Sequence, residues 1–222
     1  MNIFTNTNGK LFQTVEKIGN LIVLNFLYIL FCIPIVTIGP ATAAMHYVTL
    51  KMIRDEEDVI LRPFLHSFKQ NFKQGVVVGL ITFGVGVFLS FDLYYIYQMM
   101  MAGALLDKIV FVVVLFAFLV YWMLTVYIFP LLAQFDNSTK QMFRTAAILA
   151  IRHLPATLCM GVISLAPVVL LMYTPQTGLV SMLFYAILGF AAVALMQDKL
   201  MVRIFRQYIP AETSGEETGE VG

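Results

Sequence analysis

Three histidines are the side chains best suited to acid–base or metal chemistry in this 222-residue chain. His46, His66 and His153 lie outside the most apolar segments, and four consecutive acids follow the first of them at 55–58. Metal binding or proton transfer needs such groups to converge. Their spacings match no metal-ligand motif, and no nucleotide, hydrolase or metalloprotease signature is found in the sequence. We therefore predict no catalytic residue, metal site or cofactor, and keep a membrane enzyme as the least favoured interpretation.

Asp92 is the ionisable residue to compare with these, because it falls inside a long apolar segment. Charges within a membrane segment are functional candidates by default. Asp92 lies about one helical turn from the end of its segment and precedes Tyr94, Tyr95 and Tyr97, a pattern typical of the aromatic belt at a membrane interface. The sequence leaves two interpretations of Asp92 open: its carboxylate reaches the membrane interface, or it faces a ligand. No charged residue in another apolar segment is available to pair with it, which argues against a proton relay.

The overall composition indicates whether water or lipid surrounds the chain. The chain is 60% hydrophobic and 12% charged, with a mean hydropathy of +0.85. Ordinary soluble domains are about 45–50% apolar and about 25% charged. So few charges could not cover such a core in water, and lipid is the alternative solvent. The net charge of +1 gives no electrostatic case for binding nucleic acid.

Five apolar segments are long enough to cross a bilayer, which takes about 20 residues of helix. They are 18–38, 75–96, 109–129, 157–172 and 178–196. We predict an all-α, polytopic membrane helical bundle with about five transmembrane helices and additional cytoplasmic amphipathic helices. The bundle would form a single domain over 1–210. The acidic, glycine-rich segment 211–222 is predicted to be a disordered tail.

The distribution of lysine and arginine predicts the orientation. Five crossings place the termini on opposite sides of the membrane. The side that holds both long loops and the C-terminus has 11 basic residues near the span ends, and the N-terminal side has 3. Because basic residues stay in the cytoplasm, the sequence predicts a cell-membrane protein with its N-terminus outside and its C-terminus inside.

The segment from Arg62 to Gln74 is typical of a basic amphipathic helix that runs unbroken into the second span. Three phenylalanines recur at every fourth position, and basic side chains form the neighbouring stripe; together these docking candidates are Arg62, Phe64, Phe68, Lys69, Phe72 and Lys73. One interpretation is a helix in the lipid headgroup layer. The other is a docking surface for a cytoplasmic protein.

Small residues form a stripe along the second span. They are Gly75, Gly79, Thr82, Gly86 and Ser90, and their spacing of 4, 3, 4 and 4 keeps them on one helix face. Small residues let helix backbones approach closely in lipid, where little hydrophobic force drives association. The stripe predicts close packing against another span or against a second subunit, which leaves a homo-oligomer open.

Three motifs carry a resemblance to a known family. The runs Pro34–Ala44 (PIVTIGPATAA), Ser67–Gln74 (SFKQNFKQ) and Arg152–Pro155 (RHLP), together with the five-span layout, are similar to the YesL family. That family consists of bacterial membrane proteins classed as a domain of unknown function, often encoded beside carbohydrate uptake and degradation systems. The resemblance implies a setting, and it brings no catalytic residues.

The favoured function is therefore a non-enzymatic accessory or regulatory membrane protein, linked to a carbohydrate uptake or sensing system. Its partners would be membrane lipid and a transporter or signalling protein. The alternative is a small transporter or channel, whose polar cavity would involve Asp92, Asn25, Thr82 and Ser90.

Overall fold

The chain folds into helices over the part that the computed structural model describes, which is residues 3–56, 59–101, 105–135, 138–173 and 175–205. Side chains are described there except at 3–14, 166–168 and 170–177. The helices are α1 (Ile3–Phe31), α2 (Ile38–Arg54), α3 (Leu61–Gln70), α4 (Phe72–Met100), α5 (Leu105–Gln134), α6 (Thr139–Arg152), α7 (Leu154–Tyr173), α8 (Pro175–Phe184) and α9 (Phe190–Phe205). A 3₁₀ turn, Ile35–Thr37, joins α1 to α2, and a π-helical segment, Tyr185–Gly189, joins α8 to α9.

Helices α1 and α2 form an antiparallel pair. Near their connection, Tyr28 Oη lies 3.5 Å from Thr42 Oγ1. At the opposite end of the pair, Lys17 Nζ lies 2.8 Å from Asp55 Oδ1. The predicted orientation put Lys17 and Asp55 on opposite sides of the membrane. The contact shows that both residues lie at the same end of the α1–α2 pair.

The connection between α1 and α2 interrupts the first predicted span, 18–38. Helix α1 ends at Phe31 because Pro34 lacks an N–H and disfavours helical backbone at the residue before it. The Thr37 hydroxyl donates to the carbonyl of Phe31 at 2.6 Å, which satisfies an acceptor that the end of α1 leaves open. The apolar periodicity of 18–38 did not reveal this turn.

Helix α2 is the centre of the bundle. Eleven of its 17 residues are buried, and it contacts α1, α3, α4, α5 and α9. Its alanines at 41, 43 and 44 are fully buried, which lets the neighbouring backbones come close. A helix that is buried on nearly every side must carry its polar groups into the core, so each of them needs a partner there.

Helices α4 and α5 form a hairpin that is apolar on the outside. Only Gly75, Val78 and Thr82 are buried among the 29 residues of α4, whereas Phe91 on α4 and Phe116 on α5 are 73% and 68% exposed. Soluble monomers rarely expose a contiguous apolar patch of more than a few hundred Å². This surface is the one that a surrounding hydrocarbon solvent would cover.

Three helical stretches among the described residues are long and apolar enough to cross a membrane: Phe72–Met100, Leu105–Gln134 and Gly178–Phe205. Thr139–Arg152 and Leu154–Leu165 meet at 105° and add a fourth crossing if they count as one bent span. The predicted all-α class with membrane-length helices is confirmed. Among these residues, three or four stretches have the length and composition to cross, where the sequence predicted about five.

The described structure does not test two predictions about how the chain is organised, the disordered tail and the single domain. The acidic tail at 211–222 lies outside the described residues, as do Glu57 and Asp58 of the acidic run. The single domain over 1–210 stays a prediction.

Candidate functional site

A buried histidine–aspartate pair lies where α2 packs against α9. His46 Nδ1 is 3.0 Å from each carboxylate oxygen of Asp198. Thr49, one turn further along α2, donates its hydroxyl to Oδ2 of the same carboxylate. His46 is 5% exposed, and Thr49 and Asp198 are fully buried. A buried carboxylate is tolerated only when it is paired and hydrogen-bonded, and here two neighbouring side chains on α2 supply the partners.

The carboxylate determines which ring nitrogen of His46 is available. Because Nδ1 faces Asp198, its proton is held there and Nε2 becomes the free nitrogen. Among the described residues, every fully buried side-chain nitrogen and oxygen has a hydrogen-bond partner. Nε2 of His46 has no partner there, so it is not fully buried and must face open space. A neutral His46 accepts a hydrogen bond at Nε2, and a protonated one donates it.

The open space is a cavity of about 300 Å³ between α2, α5, α7 and the π segment with α9. Its polar lining consists of side chains from all four walls, namely Thr42, His46, Thr125, Ser164 and Gln197. Its aromatic lining consists of Trp122, Phe129, Tyr185 and Phe190. Apolar walls with a few convergent polar groups are typical of small-molecule sites.

Hydrogen bonds already orient the polar lining. Trp122 Nε1 donates to Ser164 Oγ at 3.1 Å, which ties α5 to α7. Gln197 Nε2 donates to the Met160 carbonyl at 3.3 Å, which ties α9 to α7. The cavity is therefore surrounded by side chains with fixed positions, as a preorganised site requires.

Asn25 on α1 holds the π segment that forms one wall. Its Nδ2 donates to the carbonyls of Tyr185 at 3.0 Å and Ala186 at 2.9 Å, and its Oδ1 accepts from the Ala191 N–H at 3.1 Å. A π-helical turn leaves backbone groups without their α-helical partners, and such turns are frequent at functional sites. A fully buried amide on a neighbouring helix satisfies them here.

The histidines singled out in the sequence do not converge. His46 pairs with Asp198, whereas His66 is exposed and its ring centroid lies 6.5 Å from that of Tyr47. No group of three His, Cys, Asp or Glu side chains that could hold a metal ion is found among the described residues. Asp198 was missed because it lies two residues beyond the predicted end of the fifth span, at 196, and so was not considered among the charges inside apolar segments.

The polar set proposed for a channel does not come together either. Asn25 is occupied by the π segment. The hydroxyls of Thr82 and Ser90 donate to carbonyls of their own helix, those of Val78 and Gly86. Asp92 is half-buried near the far end of α4.

The helix predicted over Arg62–Gln74 is broken, because Asn71 separates α3 from α4. Its phenylalanines point largely inward: Phe64 is fully buried, and the Phe31 ring lies 5.3 Å from that of Phe64 and 4.8 Å from that of Phe68. Phe72 is 40% exposed. The exposed basic residues of this segment are Arg62, Lys69 and Lys73.

The small-residue stripe of α4 faces two neighbours. A Cβ added to Gly75 or Gly79 would lie 2.8 Å from the Cα of Pro40 or Gly39, respectively, on α2. Further along the stripe, a Cβ on Gly86 would lie 3.0 Å from Tyr121 Cζ, and the Tyr121 hydroxyl donates to the Thr82 carbonyl at 2.7 Å. Ser90 is exposed.

Comparison with known proteins identifies sequences that are similar to this chain. Residues 21–93 match the family model described as "Protein of unknown function, DUF624". The chain is 28% identical over 197 residues to the uncharacterized protein YteU of Bacillus subtilis (strain 168), covering 87% of this chain and 86% of that one. It is 30% identical over 142 residues to the uncharacterized protein YesL of the same organism, covering 62% of this chain and 65% of that one. No solved structure matches.

The matched segment 21–93 contains α2 with His46, the α2–α4 contact and most of α4. The longer match to YteU extends the likeness over most of the helices that surround the cavity. The chain is therefore similar over 21–93 to a family of unknown function, and over most of its length to YteU.

Proposed function

We propose that this protein is a non-enzymatic integral membrane protein that binds a small polar solute in the cavity beside His46 and acts as an accessory or regulatory component of an uptake or sensing system. The observation that carries the proposal is the free Nε2 of His46, which a fully buried Asp198 holds at the wall of a cavity of about 300 Å³. A buried carboxylate is costly. A ligand-binding role would explain why the Asp198 carboxylate is buried here, since it orients His46 toward the cavity.

The membrane setting is supported by the exposed apolar surface of α4 and α5 and by their membrane length. Both faces of the hairpin carry large side chains that water would not solvate favourably. Three full-length crossings, and a fourth through the bent α6–α7 pair, would anchor the protein in the bacterial cell membrane.

The termini are proposed to lie on the same, cytoplasmic side. Lys17 pairs with Asp55 at the C-terminal end of α2. Helix α9 runs in the same direction as α2, since Asp198 meets His46 and Val202 packs with Leu50. Four crossings return the chain to the side on which it began. Counting the two N-terminal lysines with the loops then divides the 14 basic residues 13 to 1, a stronger positive-inside bias than 11 to 3.

The absence of a paired nucleophile among the described residues supports a binding role over catalysis. The cavity hydroxyls of Thr42, Thr125 and Ser164 donate to the carbonyls of their own helices, those of Ile38, Trp122 and Gly161. An activated nucleophile would instead donate to the base. Nothing in this arrangement directs a hydroxyl proton to His46.

A carbohydrate is the solute class that we propose. Aromatic rings offer flat apolar faces to the C–H groups of a sugar, while Gln197 and His46 offer hydrogen bonds to its hydroxyls. The setting implied by the family resemblance points the same way, towards carbohydrate uptake.

Trp122 provides the experiment, because it is the single tryptophan of the chain and lines the cavity. Intrinsic fluorescence of the detergent-purified protein should change and saturate on titration with a bound mono- or disaccharide. His46→Gln should weaken binding about tenfold or more, because it removes the hydrogen bond between Nε2 and the solute. His66→Gln, which alters an exposed histidine, should bind as the wild type does. A panel of neutral sugars that leaves the fluorescence unchanged would refute the carbohydrate proposal.

A small transporter is the second candidate, favoured by two interrupted helices. The π segment lines the cavity through Tyr185, and α6 and α7 meet at 105°. Interrupted helices at the binding site are common in secondary transporters. Uptake of radiolabelled solute into proteoliposomes would distinguish the two, because a regulatory protein binds the solute without moving it.

A further inference from the structure

A second concave surface is a cleft of about 410 Å³ between α4 and α5, which α6 closes at one end and which adjoins the cavity at Thr125. Its lining extends along α5 from Phe116 to Ile128. At 1.5 Å per residue this is roughly 18 Å of helix, comparable with the depth of one leaflet of a hydrocarbon core about 30 Å thick.

The cleft is apolar even where its lining residues carry hydroxyls. Thr82 donates to the Val78 carbonyl, Thr125 to the Trp122 carbonyl, and Tyr121 to the Thr82 carbonyl. These groups are satisfied internally and offer no donor to an occupant. The lining therefore fits a hydrocarbon chain better than a polar solute, which would find no hydrogen-bond donor among these hydroxyls.

Helix α6 supplies charge at one end of the cleft. Phe143 lines the cleft, and Lys140 and Arg144 lie three residues before it and one after it on the same short helix. Both are exposed, and neither is paired with an acidic side chain in the described part of the chain. Because α6 follows the C-terminal end of α5, this positive charge lies toward Ile128.

The bend between α6 and α7 places that charge at a suitable depth. The two helices meet at 105°, so if α7 crosses the bilayer then α6 lies close to its plane. A basic amphipathic helix in that position sits in the headgroup layer, where anionic phosphates are concentrated.

We propose that this cleft is a specific binding site for an anionic phospholipid, with one acyl chain along α4 and α5 and its phosphate held by Lys140 and Arg144. Charge at the end of an apolar cleft one leaflet deep matches the amphipathic form of such a lipid. A transmembrane helix of another protein would leave the two cations without a counter-charge.

The test compares two lipids that share their acyl chains. Delipidated protein in mild detergent should be stabilised more by phosphatidylglycerol than by phosphatidylcholine, with a difference in Tm of about 3 °C or more. Native mass spectrometry should show one tightly retained phosphatidylglycerol per chain. Equal stabilisation by both lipids, or retention of a polypeptide in place of lipid, would overturn the proposal.

Two pairs of variants assign the two ends of the site. Lys140→Glu with Arg144→Glu should abolish the preference for phosphatidylglycerol, while Lys69→Glu with Lys73→Glu, an equal reversal on other exposed lysines, should preserve it. Ala117→Phe fills the cleft and should remove the retained lipid, whereas Val113→Phe at an exposed position of the same helix should not. Retention of lipid by a folded Ala117→Phe variant would show that the cleft is not the site. These measurements do not involve the sugar-binding cavity, so either proposal can fail alone.

Discussion

Lys17 Nζ lies 2.8 Å from Asp55 Oδ1, and this contact joins the start of the chain to the end of α2. Asp55 is held there by a left-handed backbone conformation (φ 54°) that ends the helix and directs its N–H to the Lys51 carbonyl. Both side chains are more than half exposed, so the pair adds at most about 1 kcal/mol to stability. Its importance is topological, because a direct contact cannot span a bilayer.

The first prediction concerns that topology. After Cys32 and Cys159 are replaced by alanine, single cysteines at Asn8 and Ser214 should both resist a membrane-impermeant maleimide on intact cells and react after permeabilisation. A cysteine at Met101, exposed at the end of α4, should react on intact cells. Labelling of Asn8 without Ser214 would restore an outside N-terminus and five crossings.

Asp198 is predicted to be essential to the core. In Asp198→Asn an amide N–H₂ replaces one acceptor oxygen and the negative charge is lost, so His46 and Thr49 can no longer both donate to a carboxylate in this fully buried site. The loss should be about 2–3 kcal/mol, which lowers the Tm in detergent by roughly 4–10 °C.

Asp92→Asn is the matched control for that measurement. Asp92 is half-buried on α4, and its replacement should change the Tm by little. A comparable loss of Tm in both variants would mean that replacing either carboxylate destabilises the protein, and that the buried contacts of Asp198 make no particular contribution.

The α2–α4 contact can be tested with two glycines of one helix. Gly79→Ala adds a methyl group 2.8 Å from the Cα of Gly39, so the backbones must separate and the protein should lose about 1–3 kcal/mol. Gly84→Ala, on the same helix, meets nothing within 4 Å and should be neutral or stabilising, since alanine favours helix over glycine. Equal thermal stability of the two variants would remove the small-residue stripe as a packing interface.

The phenylalanines of α3 and α4 separate a structural role from a docking role. Phe64→Ala should destabilise the fold by about 3–5 kcal/mol, because the side chain is fully buried against Phe31. Phe72→Ala should cost less than about 1 kcal/mol, since that ring is 40% exposed. If Phe72→Ala prevents co-purification of a partner protein without changing the Tm, docking at this exposed ring is supported; full recovery of the partner would refute it.

The sequence predicted the features that depend on composition and local pattern. The apolar composition with few charges predicted an all-α bundle with membrane-length helices, and Gly75 and Gly79 of the small-residue stripe lie against Pro40 and Gly39.

The features that the sequence did not predict depend on contacts between distant segments. His46 and Asp198 are 152 residues apart, and neither has a local pattern that names the other. The recurrence of phenylalanine at every fourth position predicted a continuous helix through Asn71. Instead, Asn71 Nδ2 donates to the buried Ser67 hydroxyl at 3.2 Å, and the helix breaks there. The turn near Pro34, which lets Lys17 meet Asp55, was not recognised within the first predicted span.

The π-helical segment also bears on how the chain tolerates insertions and deletions. A π turn is equivalent to one extra residue within an α-helix, so losing one residue from Tyr185–Gly189 would restore α-helical spacing without rotating α9. Losing one from the regular helix between Phe190 and Gln197 would instead turn Asp198 by about 100° away from His46. Natural length variation in α8 and α9 should therefore concentrate at the five residues of the π-helical segment.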